Sequence, residues 1–241
     1  MFINHVVFQG SMKLSIVMPA YNEEKTIIQI LDKVLAVKIP LEKEIIVVDD
    51  GSKDKTVDLV KGYKKNHNLG NMTIFELDKN GGKGTAVRKG FSLATGDIVL
   101  IQDADLEYDP EDYKQLLEPI LNGKSKVVFG SRFLKNHTAR YNFYYLGNIF
   151  LSFVTRLLYW KNITDMETCY KVFDKEVLDK ITLRSTRFDL EPEITAKVIR
   201  AGFKIVEVPV KYYSRSFEEG KKITWMDGVK AVWYLVRFRF S

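Results

Sequence analysis

Along the first half of the chain, short apolar runs alternate with segments whose apolar residues recur every three or four positions. Leu14-Ser15-Ile16-Val17-Met18 is an apolar run closed by Pro19, and residues 23–37 then carry Ile27, Ile30, Leu31, Val34 and Leu35 at helical spacing. The same reading predicts strands over 44–48, 73–77, 97–102 and 126–129. It predicts helices over 54–66 and 83–95 and after Asp109-Pro110. Strands alternating with helices of this length predict βαβ units in an α/β domain, with a mostly parallel central sheet and helices on both faces. Near the end, Val229, Val232, Trp233 and Val236 recur at helical spacing among Lys230, Arg237 and Arg239, which predicts a C-terminal amphipathic helix over 226–241.

In open α/β sheets, ligands bind at the carboxyl ends of the strands. Here those ends are polar: Pro19-Ala20-Tyr21-Asn22-Glu23 after the first strand, Asp49-Asp50-Gly51-Ser52 after the second, and Asp103-Ala104-Asp105-Leu106-Glu107 after the fourth. Asn22 and Ser52 can serve as helix N-caps. Capping does not account for Glu23, Asp49, Asp50, Asp103 and Asp105 gathered along one rim, because like charges repel unless a cation or polar ligand binds among them. If residues 103–107 are extended, alternate side chains share a face and Asp103, Asp105 and Glu107 point one way. Hard oxygen donors of this kind suit Mg²⁺ or Mn²⁺, which keep few protein ligands and take the rest from phosphate and water. Asn80-Gly81-Gly82-Lys83-Gly84-Thr85, between strand and helix, is either a tight turn or a phosphate contact made through its amides and Lys83.

Composition narrows the classes. The chain has 241 residues, a net charge of +6 and one Cys, which excludes an internal disulfide framework and a Cys-based zinc site and suits a reducing, cytoplasmic compartment. A basic balance could serve nucleic acid, a membrane surface or a phosphorylated substrate. Carboxylates on the ligand edge would repel a nucleic-acid backbone, so a non-enzymatic basic α/β binding protein is disfavoured. Residues 1–11 read as a leader or tag remnant, since Phe8-Gln9-Gly10-Ser11 resembles a protease-tag scar, with an upstream start codon as the alternative. One domain then spans 12–225, with 226–241 as the terminal helix. No run of 18 uncharged apolar residues occurs, which predicts no spanning helix. The aromatic segment Tyr141 to Trp160 and the terminal helix both have the makings of membrane-surface helices, with burial in a core or a dimer as the alternative.

Taken together, Ile16-Val17-Met18-Pro19-Ala20-Tyr21-Asn22-Glu23, Val47-Val48-Asp49-Asp50-Gly51-Ser52, Gly82-Lys83-Gly84 and Asp103-Ala104-Asp105 resemble glycosyltransferase family 2 in order and spacing. Gly130-Ser131-Arg132, Asp165-Met166-Glu167-Thr168-Cys169-Tyr170-Lys171 and the later Arg215 and Gly220-Lys221-Lys222 resemble its polyprenyl-phosphate (dolichol-phosphate) mannosyl- and glucosyltransferases.

That resemblance implies a GT-A nucleotide-diphospho-sugar fold. It implies an inverting, metal-dependent transfer of a hexose from a GDP- or UDP-linked donor to polyprenyl or dolichyl phosphate at a membrane surface, with a sugar hydroxyl of a glycan or glycolipid as the alternative acceptor. Pro19, Tyr21, Glu23, Asp49 and Asp50 would bracket the nucleotide, with Lys83 and Ala104 beside it. Asp103 would hold sugar or ribose hydroxyls, and Asp105 and Glu107 would ligate Mg²⁺ or Mn²⁺. Arg132, Arg215 and Lys222 would meet donor or acceptor phosphates. Asp165 would serve as general base for a hydroxyl acceptor or orient a basic group for a phosphate one.

Overall fold

The computed structural model describes residues 12–134, 143–187, 189–214 and 225–240. Arg215 and Lys222, both expected at the acceptor, lie outside the described residues.

The apolar runs became strands β1 (Lys13–Ala20), β2 (Glu42–Asp49), β3 (Met72–Glu76), β4 (Ile98–Ile101) and β5 (Val127–Ser131). Between them lie helices α1 (Ile27–Ala36), α2 (Thr56–Asn66), α3 (Lys83–Leu93) and α4 (Tyr113–Leu121). Two further strands, β6 (Lys171–Asp174) and β7 (Ile205–Pro209), complete a seven-stranded sheet in the order β3-β2-β1-β4-β6-β5-β7. The sheet is parallel except at β6, which runs antiparallel to both β4 and β5. Ile45 to Val48 and Ile98 to Ile101 are wholly or almost wholly buried, as strands covered on both faces must be. Helix α1 turns Ile27, Ile30, Leu31 and Val34 inward, the stripe its spacing predicts.

Helices α5 (Phe143–Tyr159), α6 (Lys175–Lys180), α7 (Leu190–Arg200) and α8 (Trp225–Phe240) follow. Helices α5, α7 and α8 pack around a second, smaller apolar cluster that includes Leu151, Tyr159, Met166, Ala196, Ala231 and Leu235. The terminal helix is thus docked: the Tyr159 hydroxyl donates to the Leu235 carbonyl at 2.7 Å, and Arg239 Nε donates to the Leu158 carbonyl at 2.9 Å.

The register creates the cleft. Strand β4 ends at Ile101, paired with Val17, whereas β1 runs on to Ala20, paired with Asp49 of β2. The chain order also turns from one side of β1 to the other here, and the step beside the truncated strand is where ligands enter such sheets.

Candidate functional site

The cleft has a volume of about 400 Å³. It brings together Pro19, Tyr21, Glu23, Asp50, Lys83, Asp103, Ala104, Asp105, Glu107 and Arg132, ten of the residues expected from sequence. Asp49 is not among its lining residues: it is buried, and its Oδ2 accepts from the Ser52 amide at 2.9 Å. Asp165 is fully buried behind the wall.

The loops after β1 and β2 are bound to each other. The Asn22 amide donates to Ser52 Oγ at 2.9 Å, and the Lys53 amide donates to Asn22 Oδ1 at 2.8 Å. Asn22 adopts φ 54°, a conformation that Asn tolerates better than most residues. Asn22 and Ser52 therefore join two loops, while Thr26 stands at the cap position of α1 without a side-chain capping bond.

Asp50 organises the glycine turn, its two oxygens accepting from the amides of Gly81 and Gly82 at 2.7 and 2.8 Å. Burial pushes the Asp50 carboxyl up, and Asp49 adds to that; the two amides and Arg187 oppose it. The turn is glycine-rich because another loop lies against it. A Cβ on Gly82 would stand 2.4 Å from the Thr186 carbonyl oxygen, and one on Gly84 would stand 2.6 Å from that of Ser185. Lys83 forms an ion pair with Asp103 at 2.9 Å and approaches Glu191 to 3.6 Å. Burial alone would lower the Lys83 ammonium, but Asp103, Cys169 and Glu191 outweigh it and hold it well above the lysine range.

Beyond Asp103 the chain turns rather than extending, contrary to the alternation expected for 103–107. Leu106 sits at φ 64°, and the Glu107 amide donates to Asp105 Oδ1 at 3.1 Å. A left-handed Leu is costly and persists only where its surroundings impose it. Here the Tyr212 hydroxyl donates to Glu107 Oε2 at 3.0 Å, and the Tyr213 amide donates to the Glu107 carbonyl at 2.9 Å. Among the described residues no group of three or more His, Cys, Asp or Glu side chains is placed to hold a metal ion by itself. Asp105 and Glu107 still fit Mg²⁺ or Mn²⁺, which need only one or two carboxylates when phosphates complete the shell.

At the other end of the cleft, Arg132 and Asp165 form a two-pronged pair, with Nε to Oδ2 and Nη2 to Oδ1 both at 2.7 Å. The Arg132 amide adds a third bond to Oδ2 at 3.0 Å. Glu207 of β7 accepts from the amides of Thr164 and Asp165, which fixes the loop that carries the pair. The guanidinium also lies 4.9 Å from the Tyr212 ring centre. Both Asp165 oxygens are therefore committed to Arg132.

Four functional candidates were given no role from sequence: Glu167, Arg187, Glu191 and Tyr212. Lys171, buried at the start of β6, pairs with Glu191 and donates to the Met166 carbonyl at 3.0 Å. Glu191 lies in the first turn of α7 and therefore reads as a complement to the helix dipole. Only the pairing with Lys171 and Lys83 distinguishes it.

The glycosyl transferase family 2 model matches residues 15–182, more than half of the chain. A dolichyl-phosphate beta-glucosyltransferase of Trichomonas vaginalis is 33% identical over 84% of this chain and 66% of its own length. A dolichol-phosphate mannosyltransferase of Pyrococcus furiosus is 30% identical over 87% of this chain and 59% of its own length, so the chain spans about two thirds or less of these two relatives. Glucosyl-3-phosphoglycerate synthase of Mycobacterium tuberculosis, crystallised with Mn²⁺, uridine diphosphate and phosphoglyceric acid, superposes with a TM-score of 0.71. That match covers 95% of this chain and 79% of the other at 18% identity, a likeness of fold.

Asp165→Asn tests the orienting role. Removing one partner leaves a buried cation without its counter-charge, so the variant is expected to lose on the order of 3 kcal/mol of stability in urea unfolding. Unchanged stability with abolished turnover would instead make Asp165 a base.

Proposed function

We propose that this chain, which belongs to glycosyltransferase family 2, moves a hexose from a GDP- or UDP-linked donor to the phosphate of a polyprenyl lipid, inverting the anomeric carbon. The observation that carries the acceptor half is the Arg132–Asp165 pair. A hydroxyl nucleophile has a high pKa and needs a base, whereas a phosphate monoester is ionised near neutrality and needs a cation to place it. The carboxylate expected as base has both oxygens committed to Arg132, and that arginine lines the cleft. The names of the dolichyl-phosphate relatives support the same choice.

On this reading the donor lies across the switch point. Asp50, Tyr21 and Glu23 border the nucleoside, and Asp103, held by Lys83, accepts from sugar or ribose hydroxyls. Mg²⁺ or Mn²⁺ on Asp105 and Glu107 would neutralise the diphosphate and make it a better leaving group. An acceptor oxygen placed by Arg132 attacks the anomeric carbon from the opposite side as the bond to the diphosphate breaks. Arg215 and Lys222, outside the described residues, remain further proposed phosphate contacts.

We also place the protein peripherally at the cytoplasmic face of a membrane. No helix among the described residues is long and apolar enough to cross one. Helix α5 exposes Leu146, Phe150, Phe153 and Leu157, with Trp160 exposed just past its end, and α8, packed against it, exposes Val229, Trp233, Val236 and Phe240. Lys230 and Arg237 are exposed beside the second stripe, the pairing an anionic leaflet attracts.

With Mn²⁺, a panel of labelled nucleotide sugars and polyprenyl phosphate in detergent, labelled lipid is expected from one donor and only with the phosphorylated acceptor. Asp105→Ala should lower that product at least a hundredfold with its unfolding midpoint preserved. Transfer to unphosphorylated polyprenol or to a glycan at the same rate would overturn the acceptor assignment. In vesicle flotation with anionic lipid, Trp233→Glu combined with Phe153→Glu should reduce the bound fraction several-fold, and unchanged binding would refute the membrane face.

A further inference from the structure

Glu167 is a carboxylate in the cleft wall that the donor and acceptor assignments leave unused. Its Oε1 is buried and has no hydrogen-bond partner among the described residues. Four charged groups act on it from different sides. Glu191 approaches from α7 and Asp165 from the preceding loop, Lys171 from β6 and Arg132 from the end of β5. Lys171 and Arg132 are each already paired, with Glu191 and Asp165. Burial first, and then Glu191, push the Glu167 carboxyl up to about 7, with Lys171 and Arg132 pulling the other way. Neutralising Glu167 therefore needs either a proton or a cation that these pairs do not supply.

A phosphate monoester dianion entering beside Arg132 aggravates that shortage. It adds negative charge next to Glu167, and a nearby like charge favours the protonated carboxyl. A protonated carboxyl is also an O–H donor, whereas the ionised form only repels phosphate. We infer that Glu167 takes up a proton when the acceptor phosphate binds and presents it as a hydrogen-bond donor to a phosphate oxygen. This rests on the phosphate-acceptor reading above and adds a residue to it. The proton comes from solvent, or from the acceptor when it arrives as the monoanion, and both routes give the same complex. In the transfer step a phosphate oxygen forms the bond to the anomeric carbon, and the nucleoside diphosphate departs with the electron pair of the bond it loses. The proton stays on Glu167 through that step. The phosphodiester product carries one charge fewer than the acceptor, so the reason for holding the proton ends there and it returns to solvent.

The test is calorimetric titration of geranyl phosphate, with inorganic phosphate as a second probe, into the full chain. Nucleoside diphosphate and Mn²⁺ are present, and buffers of different ionisation enthalpy report protons exchanged. Wild type is expected to take up close to one proton at pH 8, and its Kd should weaken by up to tenfold per pH unit above about pH 7. The sign follows from the uptake: above that pH the free enzyme must regain a proton in order to bind. Glu167→Gln, which keeps a neutral donor at that position, should take up none, show a flat Kd, and bind about tenfold more tightly than wild type at pH 8. A wild type that binds without proton uptake, or a Gln variant with wild-type uptake, overturns the inference and leaves the acceptor reading standing. Equal binding of both probes would assign the site to phosphate itself, and tighter binding of geranyl phosphate to the lipid; either supports the inference if uptake is seen. Unaltered binding by the Gln variant with loss of turnover alone would make Glu167 a general base and overturn it. Failure of wild type to bind either probe refutes the acceptor reading and this inference with it.

Discussion

Among the described residues, seven carboxylates (Glu23, Asp50, Asp103, Asp105, Glu107, Glu167 and Glu191) and three cations (Lys83, Arg132 and Arg187) border one cleft. The surrounding structure is arranged to tolerate that imbalance. Asp50 is quenched by two amides, Asp103 and Glu191 share Lys83, and Glu191 is paired again by Lys171 from below. Of the other four, Asp105 and Glu107 lie in the turn that follows Asp103, Glu23 follows β1, and Glu167 stands in the opposite wall. A divalent cation held in that turn would offset its negative charge and share its ligands with a nucleotide's phosphates.

The glycine turn shows how tightly local sequence is tied to this arrangement. The Gly81 and Gly82 amides go to Asp50, and the absence of side chains at Gly82 and Gly84 lets the loop around Thr186 come close. That loop carries Arg187 and leads into α7 with Glu191. A segment that reads as either a tight turn or a phosphate contact is therefore the joint between the loop after β2 and the loop before α7, and Lys83 is the charge placed in that joint.

The parallel half of the sheet was legible because its strands are mostly apolar runs closed by polar residues or Pro, as at Val17-Met18-Pro19 and Val48-Asp49-Asp50. Strands β6 and β7 were not. β6 is four residues long and begins with a buried Lys, and β7 is an edge strand of partly buried residues, so neither shows the expected pattern. Sequence placed Asp49 beside Asp50 in the site, and the two diverge because adjacent residues at a strand end face opposite ways. Glu167 and Glu191 were hidden for a different reason. Their significance lies in partners such as Lys171 and Lys83, brought near by the antiparallel return through β6, and no local spacing encodes that.

The central claim is that the acidic turn works through a metal shared with the donor's phosphates. Calorimetric titration of UDP and GDP into the protein, with and without Mn²⁺, tests it most directly. Mn²⁺ is expected to strengthen binding of one nucleotide at least tenfold in wild type and to have no effect on it in Asp105→Ala. Equal affinity with and without Mn²⁺ in wild type, or undiminished strengthening in the variant, would contradict it.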